Sequence, residues 1–373
     1  VTDQSVITRW IPTMKFTHSL AAAVAAGALL LRPIAALALD GADVQRPAPN
    51  QVTVSWQSAD PVDVYVSTKP DASIAQARRV ARADRQGVFV MERNEPARPY
   101  FILKDERDGS TVRVAERLLP LERGSNFRDV GGYPAAGGKH VRWGLIYRSG
   151  ATPMLTAADF RYLATLGIAA DIDLRSTEER QIAPDRLPDH TGALYLARDY
   201  PGAEVFAPKA VSGKSDASPV SLYRSWLVSL APQYRDVFVQ LLKRGGAVTY
   251  HCSAGQDRSG VATALVLAAL GVPRDVILAD YHLSTKDRRP ENEMPPIDPA
   301  RYPGNIVAAY YAKAQASGKP TKPRPLYDAS GVALLQQTFD EIDTHWGSVD
   351  NYLDKELGIN ALDIARLRAA YLE

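Results

Sequence analysis

Short runs in which apolar and polar residues alternate fill the chain between residues 41 and 120. Val52-Thr53-Val54-Ser55-Trp56 and Val62-Asp63-Val64-Tyr65-Val66 carry a period of two, and Val88-Phe89-Val90, Tyr100-Phe101-Ile102-Leu103 and Thr111-Val112-Arg113-Val114 continue the series. A strand turns successive side chains to opposite faces, so this period predicts strands with one face buried. Asp60-Pro61, Lys69-Pro70 and Asp108-Gly109 supply turns between them. Short strands at such spacing predict a small all-β sandwich over residues 39–120, with Trp56 in its core.

Near residue 121 the period changes. Thr156 to Leu166 predicts a helix capped by Thr156 and ended by Gly167, and Ile168 to Leu174 a buried strand. Ser221 to Lys243 reads as one long helix stopped at Gly245-Gly246, followed by a short strand at Ala247 to Tyr250. Ser259 to Leu270 is nearly all small or apolar, as a helix in the centre of a domain would be; Gly271 and Pro273 end it and open the next. Strands alternating with helices predict an α/β domain over 121–373, with a central sheet flanked by helices. Two stretches lack periodicity. Pro201 to Val220 reads as a mobile loop, and the proline-rich Lys286 to Tyr327 is interrupted by a helix candidate at 306–316. Insertions of this length beside an active site are often lids, plain surface connections being the alternative.

Residues 1–38 belong to neither domain. Met14-Lys15 gives a short positive start, Leu20 to Leu31 is an unbroken run of small and apolar residues, and Ala36-Leu37-Ala38 has the spacing of a signal-peptidase site. The run falls short of the roughly 20 apolar residues that span a bilayer. We expect a natural start at Met14, cleavage near Ala38, and export to the periplasm or the medium; an uncleaved amphipathic anchor at the membrane surface is the alternative. A net charge of +2 gives no sign of a nucleic-acid surface. The six histidines are scattered without metal-ligand spacing, so neither a metal nor another cofactor is expected. Oligomeric state is not legible.

The single cysteine changes the picture. With one thiol there is no intramolecular disulfide and no cysteine zinc cluster. Cys252 follows a strand and precedes a helix, with five residues before Arg258. A thiol at a helix N-terminus beside an arginine titrates at about 3.5–7.5 rather than about 8.5. Five intervening residues suffice to curl backbone N–H groups around an oxyanion, Gly255 permits a conformation that a Cβ would obstruct, and Arg258 has the planar fork that grips two oxygens. Ser259 stands where its hydroxyl can donate to the sulfur.

The segment His251-Cys252-Ser253-Ala254-Gly255-Gln256-Asp257-Arg258-Ser259-Gly260 resembles the signature loop of the protein-tyrosine and dual-specificity phosphatases, and more narrowly that of bacterial tyrosine/serine/lipid phosphatases. Asn126-Phe127-Arg128-Asp129-Val130-Gly131-Gly132-Tyr133, Leu145 to Ser149, Asp173-Leu174-Arg175-Ser176, Asp280-Tyr281 and Trp346 to Leu353 resemble flanking motifs of that narrower family, over about residues 121–373. The preceding strands look like a fibronectin type III-like module. The resemblance implies a nucleophilic Cys252, a phosphoryl-binding Arg258, a supporting His251, and a phosphate cradle from Ser253, Ala254, Gly255 and Gln256. It implies Asp257 as first choice of general acid and Asp173 as second; either carboxylate alternatively only holds an arginine. Arg128 and Arg175 line the anion pocket or brace the loop. One residue departs: the family's loop lysine is Gln256, which removes a charge from the pocket rim. The activity implied is phosphomonoester hydrolysis on a phosphorylated protein, phosphotyrosine first, with serine/threonine or envelope-lipid phosphates as further substrates. A catalytically inactive phosphate-binding module is the alternative, and a sulfur transferase a weaker one, since such loops lack the Arg-Ser ending.

Overall fold

The computed structural model describes residues 39–92, 97–206, 219–319, 321–323 and 325–373; the expected signal segment and most of the Pro201–Val220 loop lie outside them. Seven strands open the described chain: β1 (Asp40–Ala48), β2 (Gln51–Gln57), β3 (Val62–Ser67), β4 (Arg78–Asp84), β5 (Val88–Glu92), β6 (Tyr100–Asp105) and β7 (Thr111–Ala115). They form two antiparallel sheets, β1-β2-β5 and β4-β3-β6-β7. The alternation seen in sequence is the inside–outside alternation of the strands: Val52, Val54 and Trp56 of one sheet and Val62, Val64, Phe101 and Leu103 of the other meet in one core. Strands β1 and β4 escape the hydrophobic pattern. β4 carries three arginines along an edge and pairs with β3 through register shifts, so few of its side chains are buried.

A second sheet system follows. β8 (Arg128–Asp129), the small hairpin β9 (Pro134–Ala135) and β10 (Lys139–His140), then β11 (Ile146–Ser149), β12 (Ile168–Asp173), β13 (Leu194–Ala197) and β14 (Ala247–His251) succeed one another. The central sheet has the order β13-β12-β14-β11-β8, parallel throughout except where β8 meets β11. Every residue of β11 and β14 is buried, because helices cover a parallel sheet on both faces. The helix Arg258–Ala269 leaves the end of β14, and the Arg274–Asp287 helix packs beside it. Three C-terminal helices, Gln336–His345, Val349–Leu357 and Ala361–Tyr371, close the same core.

The long helix expected at 221–243 is two helices, Pro219–Ser229 and Ala231–Lys243. Pro232 in the first turn of the second helix lacks the N–H that a continuous helix would need, and Leu230 leaves helical geometry at φ −108°, ψ 11°. The expected cap at Thr156 is present as a capping box with Asp159.

The β-rich region is welded to the rest. Arg98, 2% exposed, donates to Asp129 Oδ2 (2.6 Å), Tyr147 Oη (2.9 Å) and the carbonyl of Glu116 (2.6 Å). Trp143 enters the core of the two antiparallel sheets and donates to the Arg113 carbonyl at 3.0 Å. Among the described residues no helix is long and apolar enough to cross a membrane.

Candidate active site

The parallel sheet brings the end of β14 to the start of the Arg258–Ala269 helix, and residues 252–257 make the turn between them. Gly255 sits at φ +64°, and a Cβ there would lie 2.3 Å from the Ser149 carbonyl carbon and 2.4 Å from Gly150 N. Only glycine fits that crossing. The loop's carbonyls are tied outward. Ala151 N–H donates to Ser253 O (2.9 Å), Asn126 Nδ2 to Ala254 O (3.1 Å) and Gly255 O (2.9 Å), and Arg148 Nη2 to Gly255 O (2.8 Å) and Gln256 O (3.2 Å). The amides of Ser253 to Asp257 make no hydrogen bond among the described residues. Pinned carbonyls and unused amides at a helix N-terminus are the makings of an anion cradle.

Cys252 is buried at the base of this loop. Arg258, the first helical residue, is held by Glu179 in a bidentate pair, Nη1–Oε2 at 2.6 Å and Nη2–Oε1 at 2.8 Å, and by Tyr200 Oη at 2.7 Å. Its Nε takes no partner among the described residues. Glu179 also accepts from Ser253 Oγ at 2.5 Å, and it caps the Thr177–Ile182 helix in a box with Ser176. Burial alone would raise this carboxyl, but Arg258 outweighs it and draws it down to about 2. Tyr311, from the Ile306–Ala316 helix in the proline-rich insertion, comes close to Ser253 as well. Glu179, Tyr200 and Tyr311 went unread in the sequence. Glu179 alone had a signal, the Ser176-x-x-Glu179 spacing of a capping box directly after Asp173-Leu174-Arg175.

Asp257 is half-buried beside the loop. Its Oδ1 accepts from Gln256 Nε2 at 3.0 Å and from the Tyr223 hydroxyl, while Oδ2 takes no hydrogen bond among the described residues. Asp173 is differently placed. Arg175 Nε and Nη2 grip it at 2.9 and 2.7 Å, Tyr195 donates at 2.9 Å, and no part of it is exposed. Burial pushes this carboxyl up, yet Arg175 and His251 hold it below the usual carboxylate range. A carboxylate held low with both oxygens committed is poorly placed to give a proton, which weighs against Asp173 as the acid, while Asp257 keeps an oxygen without a partner among the described residues.

Arg175 spends Nε, Nη1 and Nη2 on Asp173 and on the Ala183 carbonyl. Arg128 spends its three nitrogens on Asp280, Asn126 and Ser284. Both are fully buried, and of the two expectations for them this arrangement fits bracing the loop better than lining the anion pocket. Ser259 Oγ, expected to donate to the sulfur, is buried without a partner among the described residues.

Behind Cys252, His251 Nε2 lies 2.6 Å from Asp185 Oδ2 and 3.8 Å from both Asp171 Oδ1 and Asp173 Oδ2. Burial pulls the imidazole down, but the three carboxylates raise it to about 10, so it is an imidazolium whose Nδ1 lies 3.4 Å from the Cys252 carbonyl oxygen. Burial, with Asp185 beside it, pushes Asp171 well above the usual carboxylate range. Asp171, Asp185 and His251 bring donor atoms within 4.8 Å of one another, the one group among the described residues close enough to hold a cation.

Comparison with known proteins agrees with the geometry. A family model described as "Tyrosine phosphatase family" matches residues 119–373. A Cupriavidus necator protein carrying the name of a tyrosine-protein phosphatase is 34% identical over 262 residues, covering 68% of this chain and 88% of that one. The triple specificity protein phosphatase PtpB of Mycobacterium tuberculosis is 30% identical over 278 residues, covering 66% of this chain and 96% of that one. A tyrosine-protein phosphatase of Nostoc commune is 35% identical over 131 residues, or 35% of this chain and 45% of that one.

Proposed function

The chain belongs to the tyrosine phosphatase family and is a phosphatase; on that premise we propose that it hydrolyses phosphomonoesters through a cysteinyl-phosphate intermediate, with phosphotyrosine proteins as its first substrates. The carrying observation is the loop itself, with carbonyls tied back, amides unused among the described residues and Arg258 fixed by Glu179 beside Cys252. The Cys252 thiolate attacks phosphorus, forming S–P as the P–O bond to the leaving group breaks. Asp257 passes a proton to the departing oxygen. The loop amides and Arg258 carry the charge of the transferring group, a geometry present before the reaction begins. Water then attacks phosphorus, gives a proton to Asp257 and frees the thiolate.

Serine/threonine phosphates and envelope-lipid phosphates extend the proposed substrate range. The name of the triple-specificity relative supports this breadth. Export rests on the apolar run at 20–31 and the small residues at 36–38. We read the two antiparallel sheets as a fibronectin type III-like module that meets a surface or a partner.

The test is hydrolysis of p-nitrophenyl phosphate by the protein and by Cys252→Ser, with chelator and reductant present. Turnover that survives chelation and vanishes in the variant establishes the thiol route. A folded protein with no turnover is instead an inactive phosphate-binding module. Phosphotyrosine peptides, phosphoserine peptides and phosphoinositide vesicles assayed side by side then rank the substrates.

A further inference from the structure

A line of polar side chains leads away from Asp257 and is used by neither the cradle nor the nucleophile. Glu293 holds Arg288 in a bidentate pair, Nε–Oε1 at 2.9 Å and Nη2–Oε2 at 2.8 Å, and Ser125 Oγ steadies Glu293 at 2.9 Å. Arg288 Nη1 donates to Gln256 Oε1 at 2.7 Å. Gln256 Nε2 donates to Asp257 Oδ1 at 3.0 Å. From the other side the Tyr223 hydroxyl donates to the same oxygen, and the Tyr281 hydroxyl lies 2.6 Å from that of Tyr223.

The direction of each bond follows from chemistry. A guanidinium only donates, so the Gln256 amide must turn its oxygen to Arg288 and its NH₂ to Asp257. Tyr223 is buried, and burial together with Asp257 and Tyr281 raises its hydroxyl well above the ordinary phenol range, so it stays a donor. Two donors therefore converge on Oδ1. A proton added to this carboxylate goes to the oxygen whose lone pairs are unspent among the described residues, which is Oδ2.

We propose that Tyr223, Gln256 and Arg288 are positioning residues that commit Asp257 Oδ1 to two hydrogen bonds and so present Oδ2 as the oxygen that carries the proton for the leaving group. This rests on the phosphatase reading and deepens it. Gln256 is then more than a lysine lost from the pocket rim, since an amide transmits the orientation of Arg288 to the acid in a way an ammonium, which cannot accept, does not. In the first step the Oδ2–H bond breaks as the leaving-group oxygen gains its proton and the P–O bond cleaves. In the second step the Asp257 carboxylate takes a proton from the attacking water.

The test separates positioning of an acid from general support of the fold. An acid matters most when the leaving group is poor, so kcat/KM is measured for p-nitrophenyl phosphate and for phenyl phosphate, across pH, in the wild type, Asp257→Asn, Tyr223→Phe, Gln256→Leu, Arg288→Met and Arg288→Lys. Thermal melts report folding. General acid catalysis is worth about 10²–10⁴ in rate. Asp257→Asn is expected to raise the p-nitrophenyl to phenyl ratio most. Tyr223→Phe and Gln256→Leu are expected to raise it about tenfold, a partial loss of that effect. Arg288→Lys, which keeps a donor for Gln256 Oε1, stays nearer the wild type than Arg288→Met. If Asp257→Asn raises the ratio while Tyr223→Phe and Gln256→Leu leave it unchanged, the clamp is overturned and the acid stands. If Asp257→Asn leaves it unchanged too, the acid lies elsewhere and the proposal falls with it. Equal ratios for the two Arg288 variants remove Arg288 from the line. Turnover that Cys252→Ser does not abolish counts instead against the phosphatase mechanism on which all of this stands.

Discussion

The two sides of the phosphate loop use one chemistry for opposite purposes. Behind and beside the loop, Arg128 and Arg175 are wholly buried and paired with carboxylates, and all three nitrogens of each are spent on protein atoms. At the mouth, Arg258 is almost as buried and as firmly paired, but its two terminal nitrogens carry the pairing and Nε has no partner among the described residues. Burial and a salt bridge therefore do not mark the working arginine. What differs is Nε, which is spent on a carboxylate in Arg128 and Arg175 and has no partner among the described residues in Arg258, and that difference is what fits Arg258 to grip a phosphoryl oxygen. The same contrast sorts the aspartates. Asp173 has both oxygens taken, whereas Asp257 has one with no partner among the described residues.

The largest effect that tests this contrast is structural. Arg175→Met leaves Asp173 buried beside Asp171 and Asp185 with only the more distant His251 to offset its charge, and breaking such a pair costs about 3–5 kcal/mol. Chemical denaturation is expected to show that loss, while the protein that remains folded keeps kcat near the wild-type value. A variant of normal stability and collapsed kcat would place Arg175 in the chemistry and break the comparison. Arg258→Lys is expected to do the reverse. Lysine keeps a charge against Glu179 but lacks the fork, so kcat falls by about 10²–10³, the usual cost of losing a preorganised donor to developing charge. Stability should fall less than in Arg175→Met. Equal kcat for Arg258→Lys and wild type would mean that one point charge suffices at the mouth.

Which arginine works was only partly legible in the sequence. The strand–loop–helix order, the glycine at the crossing and the spacing of Cys252 to Arg258 are local facts, carried by neighbouring residues, and they place the cradle. The partners are not local. Glu179 reaches Arg258 from 79 positions away, Tyr223 reaches Asp257 from 34, and Asp280 reaches Arg128 from 152. No periodicity encodes those meetings; the order of strands in the sheet makes them. Similarly, Arg128 and Arg258 each sit in a motif of charged residues, and only the folded chain tells the one whose Nε is spent on a carboxylate from the one whose Nε is not, among the described residues. In the β-rich region the strands with apolar alternation were read and the arginine-rich edge strand β4 was not. An edge strand is held by its ladder rather than by its side chains.

The smallest effect concerns pH, and it divides the two sides once more. His251, behind the loop, goes from an ordinary value of 6.5 to about 10 because the three carboxylates outweigh its burial. A base raised on folding contributes stability that is complete below the unfolded pKa and disappears as pH climbs through the folded one. Glu179, at the mouth, is lowered from 4.5 to about 2 by Arg258 against its burial, so its contribution is complete above 4.5 and disappears as pH falls toward about 2. These two groups together predict a plateau of stability between 4.5 and 6.5, with an alkaline decline that belongs to the back of the loop and an acid decline that belongs to the front. By pH 8 the His251 share of the decline amounts to about 2 kcal/mol. Urea denaturation at several pH values should show it in the wild type and show a flatter alkaline limb in His251→Asn, with the acid limb unchanged. Glu179→Gln should flatten the acid limb alone. If either variant flattens both limbs, the charges on the two sides of the loop are not independent, and the division drawn between bracing and working groups has to be redrawn as one coupled network.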